Sequence, residues 1–286
     1  MSRRLSERWS WRVWVASVVI IATASGVGCN QLQRRLVYPA RHYEHAAFER
    51  SVQERFGPNA FVFAPFDAIV IEPSAPAVAT AIWFHGNGNV NTDFASLAAV
   101  FSDRRVRLAL AEYPGYGARA GTPSERALVE DGLAFYAAIA GRYPREPIII
   151  IGQSLGSGVA AQVAAGIRQP APGRLVLATP FFDLPDAASH AFWGLPLRTL
   201  VSDRYDSADA LVRYAGPVTI VVAADDRFIG AEGGRRLARL TRPQGTTTLV
   251  ELPGADHNDW LAAVTSTVWD SLLEVPRRKP AALVAQ

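Results

Sequence analysis

The run Ile148-Ile149-Ile150-Ile151-Gly152-Gln153-Ser154-Leu155-Gly156-Ser157-Gly158-Val159-Ala160 decides the fold. Four consecutive β-branched residues suit a strand, and an unbroken apolar run suits one covered on both faces. The alanine-rich stretch that follows has helical composition. Between them, 152–156 reads G-x-S-x-G, so a serine stands on a sharp strand-to-helix turn at the carboxyl edge of a sheet. The turn strains the serine backbone, and a glycine two residues to either side removes Cβ atoms that would collide there. Three fixed positions alone are a weak signal, since a glycine-rich turn that merely packs would match as well. The strand before and the helix after make it specific.

Outward from this turn, short apolar runs at 68–72, 80–84, 108–112, 147–151, 174–178, 217–223 and 247–252 alternate with longer amphipathic stretches at 91–104, 124–143, 155–168, 231–241 and 258–273. That alternation predicts an α/β fold with a mostly parallel central sheet and helices on both faces. Thr122-Pro123-Ser124-Glu125 reads as a capping box, with proline in the first turn and Glu125 reaching back to the Thr122 amide. Residues 183–215 interrupt the alternation and read as a small helical lid with an apolar piece at 190–200. The organisation expected is a leader at 1–29, a polar connector at 30–65, the α/β domain at 66–275 and a flexible tail at 276–286.

Composition narrows the function. With 286 residues, 49% hydrophobic and 19% charged, the chain buries a substantial core, which excludes general disorder and collagen-like or disulfide scaffolds. The net charge of +3 resides wholly in the first 28 residues, leaving 25 basic and 25 acidic residues beyond them. A balanced body lacks the basic footprint of a nucleic-acid binder. The single cysteine, Cys29, excludes an intramolecular disulfide and a cysteine zinc site. Residues 1–12 are basic and 13–28 are uncharged, the layout of a signal peptide and slightly short of the roughly 20 apolar residues of a spanning helix. Trp9, Trp11 and Trp14 suit a membrane interface. Cys29 follows Gly26-Val27-Gly28 and resembles a bacterial lipoprotein processing site, apart from Gly26 where an aliphatic residue is expected. Lipoprotein, uncleaved anchor and ordinary secretion all place the body in the cell envelope, outside the cytoplasm.

A serine hydroxyl needs a neighbouring base, and the base needs an orienting carboxylate. Of five histidines, His257 alone follows the last strand, in the turn Pro253-Gly254-Ala255-Asp256-His257 before the final helix. His190 falls in the expected lid, and His42 and His45 in the connector. The carboxylate should cap the strand 217–223, where Asp225 and Asp226 are neighbours and only one points inward. After the strand 80–84, His85-Gly86-Asn87-Gly88-Asn89 is the loop that supplies an oxyanion donor in such a fold, so the backbone N–H groups of Asn87 and Leu155 are the expected oxyanion hole. His85 has no second ligand at metal-binding spacing and reads as a loop-orienting side chain.

With these motifs in order, residues 68–273 resemble the α/β-hydrolase superfamily. Glu112-Tyr113-Pro114-Gly115-Tyr116-Gly117, then Gly121-Thr122-Pro123-Ser124-Glu125 and Ala178-Thr179-Pro180-Phe181, are similar to its membrane-anchored ABHD-type branch, which has bacterial relatives. The resemblance implies a serine hydrolase cleaving esters or thioesters, with Ser154, Asp226 and His257 as triad and no metal or cofactor. Asp226 is favoured over Asp225 by alignment with a Gly-x-x-Asp-x-x-Ile-Pro segment, from which the chain departs at Ala223 and Gly230. A serine nucleophile sets aside the dehalogenase and epoxide-hydrolase chemistries of the superfamily, which use aspartate. Phe181, Phe182, Phe192 and Trp193 are candidates to line a site for a small-molecule or acylated substrate, or else pack the lid on the body. A peptidase or amidase and a non-catalytic envelope binding module are the competing readings. Nothing in the sequence sets an oligomeric state.

Overall fold

The computed structural model describes residues 37–191, 202–240, 242 and 245–274. In chain order the described elements are α1 His45–Phe56, β1 Ala60–Phe63, β2 Ala68–Ile71, β3 Ala79–Phe84, a 3-10 turn Asn91–Phe94, α2 Leu97–Ser102, β4 Val106–Leu110, α3 Glu125–Arg142, β5 Ile148–Gln153, α4 Leu155–Gly166 and β6 Arg174–Ala178. They continue with α5 Leu184–Ala191, α6 Ser207–Arg213, β7 Val218–Ala223, α7 Glu232–Ala238, β8 Thr247–Leu252, α8 Trp260–Ala263 and α9 Ser266–Leu273.

The strands form one eight-stranded sheet in the order β1-β2-β4-β3-β5-β6-β7-β8. Pairing is parallel from β4 through β8, while β2 runs antiparallel to both β1 and β4. The isoleucine run explains why β5 is central: successive side chains alternate faces. Ile148 and Ile150 enter the core beneath α3, α4, α6 and α7, while Ile149 and Ile151 enter the core beneath α1, α2 and α9. β8 is an edge strand, and its residues are exposed or half-buried apart from Leu252.

All seven expected strands are present, and an eighth, β1, falls in the span read as connector. That span also holds α1, whose Phe48, Val52 and Phe56 recur every four residues and are buried against the sheet. Within 183–215, α6 buries Ala210 and Leu211 in the core beside α4. The expected apolar piece of the lid lies mostly outside the described residues.

The capping box is corrected by the structure. The N-cap of α3 is Ser124, whose hydroxyl accepts the Ala127 N–H at 3.2 Å. Glu125 does not reach back to Thr122. Its carboxylate accepts the N–H groups of Arg204 at 2.6 Å and Tyr205 at 2.9 Å, and the Gln162 side-chain amide. Three donors brought from distant segments outcompete a local cap.

Candidate active site

Ser154 sits between β5 and α4 with φ 52° and ψ −119°. This left-handed conformation is strained for a non-glycine residue and is held by tertiary contacts. The Ser154 N–H donates to Ala178 O at the end of β6, 2.9 Å away. The glycines of the turn are required by space. A Cβ on Gly156 would lie 2.1 Å from Phe84 O, and one on Gly152 would lie 2.2 Å from Gly156 O. The backbone of α4 can therefore approach the end of β3 only with glycine at 156.

His257 and Asp226 reach this serine along the same carboxyl edge of the sheet, from the loops after β8 and β7. Ser154 Oγ and His257 Nε2 are 2.8 Å apart, and His257 Nδ1 lies 2.6 Å from Asp226 Oδ2. The side chains of His257 and Asp226 are 4% and 3% exposed, so water does not compete for the inner contact. Asp226 Oδ1 accepts the backbone N–H groups of Phe228, Ile229 and Gly230 at 3.0, 2.9 and 3.3 Å. Burial alone would raise the Asp226 carboxyl, but the His257 contact and these N–H groups outweigh it, and the group stays below the ordinary carboxylate value. Asp225 is exposed and turned away, its backbone N–H donating to Ala255 O at 3.0 Å.

Asp256 was not singled out from the sequence. Its Oδ1 accepts the N–H groups of Arg227 at 2.9 Å and His257 at 2.7 Å, tying the histidine loop to the aspartate loop. These backbone donors hold its carboxyl below the ordinary value. The readable signal was the cluster Asp256-His257-Asn258-Asp259, in which Asp259 in turn accepts the Asp256 N–H.

On the other side, a Cβ on Gly86 would lie 3.3 Å from Ser154 Cβ, so the loop after β3 rests on Ser154. Asn87 follows directly, and Leu155 opens α4, where the leading amides have no intrahelical acceptor. His85 is fully buried, with Nε2 2.9 Å from Glu112 Oε1 and Nδ1 2.9 Å from Gly86 O. Glu112 also accepts the N–H groups of Asn91 and Tyr113, both at 3.1 Å. His85 thus pins its own loop to the end of β4. Among the described residues no cluster of three metal-binding side chains occurs.

Phe181 is buried in the core, where a Cβ on Gly158 would meet its ring at 2.9 Å. Phe182 is half-buried under the Arg236 guanidinium, 3.8 Å from its ring. Phe192, Trp193 and Cys29 lie outside the described residues. His190 abuts the Asp226 loop: a Cβ on Gly230 would lie 3.0 Å from its ring.

The arrangement has known parallels. A family model described as serine aminopeptidase, S33 matches residues 75–207. An uncharacterized protein of Mycobacterium tuberculosis is 32% identical over 189 residues, which is 65% of this chain and 64% of that protein. A lysophosphatidylserine lipase, ABHD12, of Macaca fascicularis is 28% identical over 59% of this chain and 47% of its own length. The chain thus spans about half to two thirds of the curated relatives it matches. An α/β-hydrolase structure from Vibrio vulnificus superposes with a TM-score of 0.60 over 82% of this chain and 96% of that one, at 17% identity.

Proposed function

We propose, from the premise that this chain belongs to the α/β-hydrolase superfamily and has ABHD-type relatives, that it is a membrane-attached serine hydrolase cleaving carboxylic esters or thioesters through an acyl-enzyme. The observation that carries the reading is the relay of hydrogen-bond distances from Ser154 Oγ through His257 to Asp226, closed off from solvent at its inner end. Ser154 attacks the carbonyl carbon while His257 Nε2 takes its proton. Asp226 holds the imidazole by Nδ1 and stabilises the imidazolium. The N–H groups of Asn87 and Leu155 receive the developing oxyanion, a contribution on the order of 100- to 1,000-fold per donor. The tetrahedral intermediate collapses, His257 returns the proton to the leaving alcohol or thiol, and water then releases the acid by the same steps.

Of the acidic residues that follow β6, Asp186 is paired with Arg236 at 3.2 Å and is no free anchor for a substrate ammonium, which favours an ester or thioester reading over an aminopeptidase one. The name of the vertebrate relatives as lipases points the same way. Attachment to the membrane is proposed through 1–29, by acylation of Cys29 or by an uncleaved anchor, with the body in the cell envelope. Among the described residues no helix is long and apolar enough to cross a membrane.

The test is covalent labelling of the protein with a fluorophosphonate, followed by peptide mapping. One adduct on Ser154, absent from Ser154→Ala, with turnover of p-nitrophenyl esters or acyl thioesters, is expected. A folded protein without an adduct overturns the reading in favour of a binding module.

A further inference from the structure

A buried carboxylate that the proposed mechanism leaves idle spans the loop beside Ser154. Glu112 is 2% exposed, and among the described residues no arginine pairs with its carboxylate. Its two oxygens face opposite ends of one stretch, Gly86-Asn87-Gly88-Asn89-Val90. Oε1 lies 2.9 Å from Nε2 of His85, which precedes the stretch, and Oε2 accepts the N–H of Asn91, which follows it, at 3.1 Å. Both ends of the loop are thus held by a single side chain.

A carboxylate taken out of water is costly unless hydrogen bonds replace its hydration. Here the Tyr113 N–H donates to Oε1 at 3.1 Å, and the Tyr43 hydroxyl stands 3.3 Å from Oε2 and 3.1 Å from Asn91 Oδ1. Space around the group is closed: a Cβ on Gly117 would lie 2.6 Å from Glu112 Oε2 and 2.7 Å from the Tyr43 hydroxyl oxygen. The core itself requires no such group, since an apolar pair of the same shape would avoid the desolvation. The loop does require a clamp. It is glycine-rich, and Gly88 has φ +73°, so the free chain has much conformational freedom to lose. Gly86 rests on Ser154, and His85 Nδ1 lies 2.9 Å from Gly86 O, so the hold of Glu112 passes through the ring to the loop backbone.

We infer that Glu112 is a positioning residue for the oxyanion hole: through His85 at one end of the loop and the Asn91 N–H at the other it fixes the Asn87 N–H against Ser154, with Tyr43 steadying the carboxylate. This rests on the hydrolase reading above. An oxyanion donor lowers the barrier only when it is already in place, and it acts where the oxygen becomes charged rather than in substrate binding.

The experiment uses the full chain, with p-nitrophenyl butyrate as substrate and n-hexyl trifluoromethyl ketone as reversible inhibitor. Ser154 Oγ bonds to the ketone carbon, the serine proton passes to His257, and the carbonyl electron pair becomes an oxyanion facing the same N–H groups. Rates are taken per site labelled by fluorophosphonate, and Ki does not depend on how much of a variant is folded. In Glu112→Gln, whichever way the amide is turned, its NH2 group meets a backbone N–H, of Tyr113 or of Asn91. The expected result is a kcat lower by about 100-fold, KM within about threefold of wild type and Ki higher by about 100-fold. Glu112→Asp keeps the charge but is one methylene too short to reach both ends, and should do the same. Tyr43→Phe, at a half-buried position, should raise Ki about threefold, the loss of one weak hydrogen bond. A kcat that falls while Ki stays at the wild-type value marks a merely structural role and overturns the inference, as does a loss confined to KM. If neither Glu112 variant yields labelled protein, an unchanged Ki in Tyr43→Phe overturns it. A wild type that is labelled and inhibited, with variants that do not differ from it, sinks this inference alone. A wild type that is neither labelled nor hydrolyses any ester sinks the hydrolase reading with it.

Discussion

In the proposed triad Ser154, His257 and Asp226 have different roles, and substitution should separate them. On that proposal Ser154→Ala and His257→Ala each remove a group that bonds to the reacting atoms, and kcat is expected to fall by about 10,000-fold or more with circular dichroism unchanged. Asp226→Asn keeps the size but no longer favours the imidazolium, and the expected loss is on the order of 10,000-fold. Asp225→Asn should cost little, because Asp225 is exposed and contacts the histidine loop only through its backbone. Equal losses from the two aspartate changes would reverse their assignment. Asp226 also links stability to pH. Its carboxyl is held below the ordinary aspartate value by the His257 contact and the backbone N–H groups when folded, so its ionisation stabilises the fold above that ordinary value and the contribution is lost as pH falls through the folded one. Urea unfolding should show a gap between wild type and Asp226→Asn that is constant near neutrality and shrinks below about pH 4. A gap that persists to low pH would contradict the direction of the shift. At this scale motif and position in the sequence pointed to the serine and the histidine, which the fold brings within 2.8 Å of each other. It left the two aspartates open until a resemblance was used, because both follow the same strand and only the fold of the turn turns one inward.

The start of α3 and the elbow helix α4 give sharper tests of how elements are held. Ser124→Ala removes the observed cap and should cost about 1 kcal/mol, lowering Tm by roughly 2–4 °C, whereas Thr122→Ala should have a smaller effect. The reverse ranking in a thermal melt would restore the capping box that the sequence suggests. Gly156→Ala drives a Cβ into the carbonyls of Phe84 and His85, which are backbone atoms that cannot rotate away. About 1–3 kcal/mol of lost stability is expected, together with lost labelling at Ser154, since the loop after β3 must retreat. A Gly156→Ala protein with wild-type melting and labelling would rule out that close approach. Gly230, where the segment that the chain resembles has proline, has φ +80°, which proline cannot adopt, and the His190 ring lies against it. Helix α1 and strand β1 escaped the sequence reading for different causes. α1 carries a legible four-residue spacing within an otherwise polar stretch. β1 has four residues, too few to set a period, and exists because β2 offers it an open edge.

For the whole molecule, the position of the N-terminal segment bears on where the site faces. Tyr38 donates its hydroxyl to Asp203 at 2.6 Å and Pro39 lies against Gly88 of the loop after β3. The chain therefore enters the domain beside the proposed active site. Only eight residues separate Cys29 from Tyr38, a reach of at most about 30 Å. If Cys29 is acylated, the mouth of the site stays close to the bilayer. Expressed in a bacterial host, the full chain should sediment with membranes and partition into detergent, and Cys29→Ser should release it or change its processed mass. Unchanged partitioning of Cys29→Ser would leave the uncleaved anchor as the means of attachment.

The sequence by itself determined the class of this protein, because its strongest signals are local. Ile148–Ile151 can be buried on both faces only in a central strand, and a serine between closely spaced glycines has few other uses at such a strand's end. The apolar runs of β2 to β7 follow from the same arithmetic of burial, whereas β8 lies largely exposed at the edge of the sheet. What the tertiary structure alone decided are relations between distant residues. Glu125 leaves its own helix start for Arg204 and Tyr205, His85 finds Glu112, Asp256 joins two loops, and Asp226 rather than Asp225 meets His257. Each is a competition among hydrogen-bond partners separated by tens of residues, and such a contest is settled by which groups the packed sheet brings within 3 Å, a quantity that no local pattern encodes.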